Sequence, residues 1–400
     1  MSIEQCRVFI RSLRWQSHMQ DVKQQVEPVK ARGLEGVVAL ETSISFIDGL
    51  KGELIYAGYD IRELAGKVSF EEVGYLLWRG RLPNRRELDE LMLQLQAERT
   101  LAPMIMDVLR ATPEDANPMA ALRTATSALA HFDAEADVAS AEANYRKALR
   151  LTARMPTIVA TFDRFRKGRK PLKPMRTGST AHDFLYLLNG EPPGEAAEKT
   201  FDVCLVLHAE HGLNASTFAG RVIGATLSDL YSAVSGAIGA LKGPLHGGAN
   251  IEVMKTLLQL DASGKRPREF VLEKLRNKDR IMGFGHRVYK TLDPRAAILR
   301  DMVEELSEER GSRKWYDMSV EIMETMEKEK GLYPNVDFFS ASVYYMLGID
   351  IDLFTPIFAM SRVTGWTAHL LEQWKDNRLI RPRAEYVGAR GLTVVPIDRR

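Results

Sequence analysis

Cysteine is nearly absent: the 400 residues hold two, Cys6 and Cys204. They lie far apart and in no ligand-like spacing, which excludes a disulfide framework and a thiolate metal site and fits free thiols in a reducing compartment. No uninterrupted apolar run of about 18 residues occurs, so no segment reads as a membrane-spanning helix. Arg7, Arg11 and Arg14 mark the N-terminus as basic. The only apolar stretch there is Val8-Phe9-Ile10, too short for a signal core, and Glu4 and Asp21 oppose a transit peptide. A cytoplasmic protein is expected. An excess of one charge is also missing: 55 basic and 53 acidic residues leave +2, against a general nucleic-acid binder. There is no low-complexity tract, no solenoid repeat and no strand–helix alternation, hence no Rossmann unit. The sequence is instead 45% hydrophobic and 27% charged, enough for a large core under a soluble surface.

Residues 1–32 read as an appendage of mixed charge, with Met19 a possible alternative start. Thr42 to Ile47, the turn Asp48-Gly49, and Glu53 to Tyr56 predict a short β-hairpin. Helices follow. Ser69 with Glu72 and Asn84 with Glu87 are capping boxes, each ahead of an apolar stripe. Pro118 opens an alanine-rich helix to about 132, and 141–167 is helical but interrupted or restarted at Pro156. Further helices are expected over 195–218, 226–242, 247–261, 268–276, 294–309, 312–330, 336–348 and 355–376. The fold class is therefore all-α, multi-helical, with about fifteen or more helices and a short N-terminal β-hairpin. Gly243, Gly247, Gly248, Gly283 and Gly285 are candidate hinge positions, with a second crossing near residue 340.

Two histidine-centred glycine motifs stand out, GPLHGGAN at 243–250 and GFGHRVYKTLDPR at 283–295. Each sets an imidazole among residues with little side chain, so ring and backbone can both approach a small ligand. His246 precedes a helical pattern, where the helix dipole disfavours a positive ring and suits a neutral hydrogen-bond donor. Arg287, Lys290 and Arg295 place three cations near His286, suited to carboxylates and phosphates; a solvated basic loop is the plainer alternative. His208 and His211 are three apart, which on one helix puts them on one face. Their spacing is not that of a zinc helix, so a substrate contact from His211, with His208 as support, is favoured over metal. In YPNVDFFS at 333–340, Asp337 sits beside apolar side chains that raise a carboxyl's pKa and strengthen it as a base; a helix N-cap is its bland alternative. Arg362 and Arg381 are carboxylate clamps by type.

Together, HAEHGLNAST, GPLHGGAN, GFGHRVYK with DPR, YPNVDF and SRVTGW resemble the citrate synthase family, short dimeric type, from Gly33 to about Tyr386; 2-methylcitrate synthases are its close relatives. The resemblance implies a two-domain homodimer: residues 1–246, including the arm 1–32, with 343–400 as the large domain, and 247–342 as a small domain that closes over substrate. It implies condensation of acetyl-CoA with oxaloacetate, then hydrolysis of citryl-CoA. Asp337 takes the methyl proton, His246 donates to the thioester oxygen, and His286 polarises the ketone. His211, Arg295 and Arg362 bind oxaloacetate, and Arg381 comes from the partner subunit. Met282, Gly283, Phe284, Gly285 and Lys290 are implied CoA contacts, with no tightly bound cofactor and no metal. After GGAN the family usually carries glutamate, where this chain has Ile251 and then Glu252. The long β-rich N-terminal domain of NADH-regulated hexamers is absent, so a dimer without that control is expected. The rival readings are a propionyl-CoA-using relative, a metal-dependent hydrolase built on the histidines, and a non-catalytic helical scaffold.

Overall fold

A computed structural model describes residues 32–286 and 288–400. The expected N-terminal arm, apart from its last residue, and Arg287 lie outside the described residues. Residues 32–41 contain a short 3-10 turn, Arg32–Leu34, closed by a hydrogen bond from the Val37 N–H to the Leu34 carbonyl.

From Thr42 onward the chain opens with the expected hairpin, β1 (Ser45–Asp48) and β2 (Glu53–Tyr56), paired antiparallel with Ser45 opposite Tyr56. The Asp48 carboxylate ties the turn by accepting from the Leu50 and Lys51 N–H groups at 2.9 and 3.0 Å. A third strand, β3 (Tyr59–Asp60), extends the sheet by two residues. Its brevity leaves no alternating pattern to read.

Sixteen α-helices follow among the described residues: α1 (Ile61–Leu64), α2 (Phe70–Arg79), α3 (Arg85–Glu98), α4 (Pro103–Ala111), α5 (Pro118–Ala128), α6 (Ala141–Arg166), α7 (Thr180–Asn189) and α8 (Glu195–His208); then α9 (Ala215–Gly224), α10 (Leu230–Leu241), α11 (Ala249–Ser263), α12 (Pro267–Arg276), α13 (Pro294–Glu309), α14 (Lys314–Lys330), α15 (Val336–Met346) and α16 (Phe354–Lys375). The all-α expectation stands. Both capping boxes form, at Ser69 and at Asn84, satisfying N–H groups that a helix leaves unpaired at its start.

Two local expectations fail. The helix over 141–166 runs unbroken through Pro156. Almost every residue from Leu151 to Asp163 is buried, and packing of that length outweighs the hydrogen bond proline removes, a cost of about 3 kcal/mol. The helix expected over 195–218 is two helices: α8 stops at His208, and α9 starts after Asn214, whose side chain accepts from the Ser216 and Thr217 N–H groups. Gly212 takes a left-handed φ of +62, a conformation glycine adopts without strain. His208 and His211 therefore do not share a helix face.

The long α16 is buried over nearly its whole length from Phe354 to Leu370 and packs against α2, α6, α8, α9 and α10. Such a helix is a central strut rather than an amphipathic surface element, so polar side chains on it are fixed. Helices α11 to α15 pack largely on one another, with α13 and α15 also reaching α8. Arg362 in the middle of α16 lies within electrostatic reach of Arg295 in the first turn of α13 and Asp337 in the first turn of α15. The residues after α16 form an exposed tail from Arg381 to Arg400.

Candidate active site

His246 sits in the turn between α10 and α11, two residues ahead of the N-cap Gly248. A Cβ on Gly247 would lie 2.2 Å from the Leu241 carbonyl oxygen, and Gly248 has φ +89. Only glycines let the chain fold back this tightly and bring the ring to Ser216 at the start of α9. There Nε2 accepts from the Ser216 backbone N–H at 3.2 Å and lies 2.8 Å from its hydroxyl. A ring whose Nε2 accepts carries its proton on Nδ1 when neutral. The Ser216 hydroxyl is itself held by the Trp366 indole N–H at 3.1 Å, reaching across from α16.

His286 has the opposite tautomer. Its Nδ1 accepts from the Val288 and Tyr289 N–H groups at 3.0 and 3.2 Å, leaving the proton on Nε2. Burial, reinforced by the Arg295 and Lys290 charges, pulls its pKa down to about 4. It is a neutral donor at physiological pH. The preceding loop is folded by two left-handed glycines, Gly283 at φ +85 and Gly285 at φ +74. A Cβ on Gly283 would come within 2.7 Å of Val253 and 2.9 Å of Phe338, so the loop is clamped between α11 and α15. Its backbone is stitched to residues 333–335: the Gly285 N–H donates to the Tyr333 carbonyl, and Asn335 donates to the Gly283 and Gly285 carbonyls. Phe284 packs on Phe338 with ring centroids 4.7 Å apart. Met282 and Lys290 are exposed, and the Lys290 N–H donates to the Gly49 carbonyl in the hairpin turn.

Arg295 and Arg362 are both almost fully buried, at 2% and 1% exposure. Two like charges in a core require compensation. Arg295 has it in Asp293, the N-cap of α13, through bonds of 3.0 and 2.8 Å to its two carboxylate oxygens. Among the described residues, no carboxylate forms an ion pair or hydrogen bond with Arg362. Its Nε donates to the His208 carbonyl at 2.6 Å, and its Nη2 is buried with no partner. Burial lowers its pKa to about 10, still charged at neutral pH. An unpartnered, buried guanidinium nitrogen suits a ligand carboxylate. His211, in the linker between α8 and α9, lies 3.3 Å from the Tyr289 hydroxyl and edge-on to His286 at 5.3 Å between centroids. Burial and the two arginines hold its pKa well below the ordinary value.

Asp337 is in the first turn of α15, but it is not the cap; Asn335 caps the helix and accepts from the Asp337 N–H at 3.0 Å. No described hydrogen bond ends on the Asp337 carboxylate oxygens. Protein atoms crowd the group although part of the residue's surface stays open, and this burial raises its pKa to about 6 against the opposing pull of Arg295 and Arg362. It is a carboxylate poised to take a proton near neutrality.

His211, His286, Arg295, Arg362 and Asp337 thus fall within one another's electrostatic reach through the two arginines, and His246 is tied through Ser216 to Trp366, four residues along α16 from Arg362. Arg381 is not among them: it lies in the exposed tail, and no described contact links it to these residues of its own chain. His208 is a buried support whose Nδ1 bonds the Cys204 carbonyl at 2.7 Å, with its pKa driven by burial down to about 3. Among the described residues, no group of three or more His, Cys, Asp or Glu side chains could hold a metal ion. Sequence reasoning missed Tyr289, Asp293, Ser216 and Trp366. Asp293 was detectable, since an aspartate directly before a proline that opens a helix is an N-cap signal; the others carry no local mark.

The sequence pattern described as citrate synthase, C-terminal domain, matches residues 33–383. The citrate synthase of Haloferax volcanii is 54% identical over 373 residues, covering 92% of this chain and 98% of the relative. A citrate/2-methylcitrate synthase of Bacillus subtilis is 43% identical, covering 90% and 97%. A solved ternary complex of Thermoplasma acidophilum citrate synthase with carboxymethyl coenzyme A and oxaloacetate superposes with TM-score 0.85 at 34% identity, covering 92% of this chain and 98% of that one.

Proposed function

The chain belongs to the citrate synthase family, and from that premise we propose how its own residues divide the work of the condensation. The reaction joins acetyl-CoA to oxaloacetate and hydrolyses the resulting citryl-CoA to citrate and CoA. Acetyl-CoA is a cosubstrate, and no tightly bound cofactor takes part.

The Asp337 carboxylate removes a proton from the acetyl methyl group. The electron pair moves toward the thioester oxygen, which receives a hydrogen bond from the Nδ1–H of His246. General base catalysis supplies about 10²–10⁴ in rate, and one oxyanion donor about 10²–10³. Neither suffices alone for a carbon acid as weak as a thioester methyl. The enol carbon then attacks the ketone carbon of oxaloacetate while His286 donates its Nε2 proton to the oxygen that becomes the citrate hydroxyl. Water finally displaces the CoA thiol. Arg295, Arg362 and His211 hold the oxaloacetate carboxylates, and the 282–286 loop with Lys290 takes the CoA. The observation that carries this reading is the half-open Asp337 carboxyl, raised to about 6, within electrostatic reach of two buried arginines.

The preferential packing of α11 to α15 on one another supports residues 247–342 as the small domain, closing on the body formed by 1–246 and 343–400. A homodimer is supported by the exposed tail, in which Tyr386, Val387, Leu392, Val394 and Ile397 are all 61% exposed or more. Such a row of apolar side chains fits a second copy of the chain, and in that dimer Arg381 enters the partner's site. A reducing, cytoplasmic setting agrees with the buried free thiol of Cys204.

The activity test is release of free thiol from acetyl-CoA with and without oxaloacetate; no oxaloacetate-dependent release refutes the reading. A propionyl-CoA preference in kcat/KM would favour the 2-methylcitrate relative, since one methyl shifts binding by only about 1–3 kcal/mol. For the shared site, inactive Asp337→Asn and Arg381→Ala homodimers are mixed and exchanged. Recovered activity is expected, because one site of the hybrid is whole; none would place Arg381 in its own chain's site.

A further inference from the structure

Beside the site, two buried groups of opposite charge each lack a partner and do not meet. One is the Arg362 Nη2, the other the Glu210 Oε2. After burial, Glu210 is the largest influence on Arg362, ahead of Tyr56, Arg295 and Asp337, so the two are neighbours. Even so, no hydrogen bond or ion pair joins them. A carboxylate that can reach an unpaired guanidinium in a core ordinarily does so, unless something holds it back.

The restraints on Glu210 are specific. Its Oε1 accepts from the Ser45 hydroxyl at 2.9 Å and bonds His369 Nε2 at 3.1 Å. Its backbone carbonyl accepts from the Tyr56 hydroxyl at 2.6 Å. Its Oε2 lies where a Cβ on Gly365 would be only 2.3 Å away, so α16 leaves room for the carboxylate at that one position, a helical turn beyond Arg362. His369 is in turn fixed from behind. The Arg221 guanidinium points Nη1 at His369 Nδ1 at 3.3 Å, and Arg221 itself bonds Gln373 and Glu372 at 3.0 Å each. Arginine only donates, so His369 Nδ1 accepts and the ring's proton sits on Nε2, directed at Glu210. The order Glu372, Arg221, His369, Glu210 runs negative, positive, neutral, negative and ends beside the free nitrogen of Arg362.

We propose that His369 is a positioning residue for substrate binding: it retains the Glu210 carboxylate on α16, keeping the Arg362 Nη2 open for a carboxylate of the substrate. Glu210 then serves as a counter-charge at a distance, offsetting the buried Arg362 without occupying the ligand's place. The inference rests on the reading of Arg362 as a clamp for a dicarboxylate such as oxaloacetate.

The test is a double-mutant cycle read in oxaloacetate KM, kcat and calorimetric oxaloacetate affinity. His369→Leu removes the donor, Glu210 turns to Arg362, and oxaloacetate has to displace a charged hydrogen bond. KM is expected to rise about ten- to hundredfold, with kcat at saturation within about threefold of the wild type. His369→Gln keeps an N–H donor of similar reach and restores most of the affinity. The deciding variant is Glu210→Gln with His369→Leu, in which no carboxylate remains to block Arg362: it is expected to recover most of the affinity lost in His369→Leu. A merely structural His369 predicts a double variant at least as impaired as the single one, and that result overturns the proposal. If His369→Leu does not fold, His369→Asn replaces it, since its shorter amide stays polar but falls short of Glu210, and the same recovery is required. Wild-type protein that fails to bind oxaloacetate would instead overturn the reading of the site itself.

Discussion

Replacing Asp337 by asparagine separates stability from turnover in opposite directions. The carboxyl's pKa rises from 3.8 in an open chain to about 6 in the folded one. At about 1.4 kcal/mol for each tenfold change in proton affinity, keeping this group ionised costs the fold up to about 3 kcal/mol; solvent on its open side reduces that to about 1–3 kcal/mol. The sign follows from proton linkage. The folded state holds the proton more tightly, so the wild type loses stability relative to a neutral side chain as pH rises from 3.8 to 6, and the difference is constant above. Asp337→Asn is therefore expected to melt higher than the wild type at pH 7.5, with the gain vanishing toward pH 4. Its kcat falls by about 10²–10⁴ because the base is gone. The wild-type kcat/KM should show one acid limb with an apparent pKa near 6, falling tenfold per pH unit below it, since His286 titrates only near 4. Melting curves and thiol-release kinetics across that range decide. A variant that melts lower at pH 7.5, or one that keeps kcat within tenfold of the wild type, refutes the argument.

Three further outcomes follow from the same geometry. His286→Ala is expected to lower kcat by about 10²–10³ through loss of one donor to a developing alkoxide, with oxaloacetate affinity by calorimetry little changed. Arg362→Leu removes the open guanidinium and should weaken oxaloacetate binding by about ten- to hundredfold; unchanged affinity would remove Arg362 from the site. Gly247→Ala pushes a methyl to 2.2 Å from the Leu241 carbonyl, so the His246 turn must shift, and both melting temperature and kcat should drop. Gly239→Ala is the control: its nearest neighbour is the Arg123 Cδ at 3.8 Å, and inside a helix it should gain about 0.5–1 kcal/mol.

What was legible in the chain was local. Apolar spacing with caps at Ser69 and Asn84 placed helices because a helix start satisfies its own N–H groups within four residues. The glycine–histidine motifs and the Asp337 segment marked the chemistry because tight turns need glycine and because apolar neighbours lift a carboxyl. The break at 209–214 was legible too, from Gly212 and Asn214, but the surrounding apolar pattern masked it. Other features belong to the tertiary structure. Pro156 stays helical only because buried packing on both sides holds the helix. Asn335 rather than Asp337 caps α15, which leaves the carboxylate for chemistry. The tautomers of His246 and His286 depend on which N–H each ring meets after folding. Glu210 and His369 are 159 residues apart in sequence, and no pattern of spacing relates them. Sequence alone therefore determined which side chains are available and where the backbone can turn, since those are properties of a few adjacent residues. Charge state, proton position and which guanidinium remains open were decided by desolvation and by partners distant along the chain, which exist only once the helices are packed.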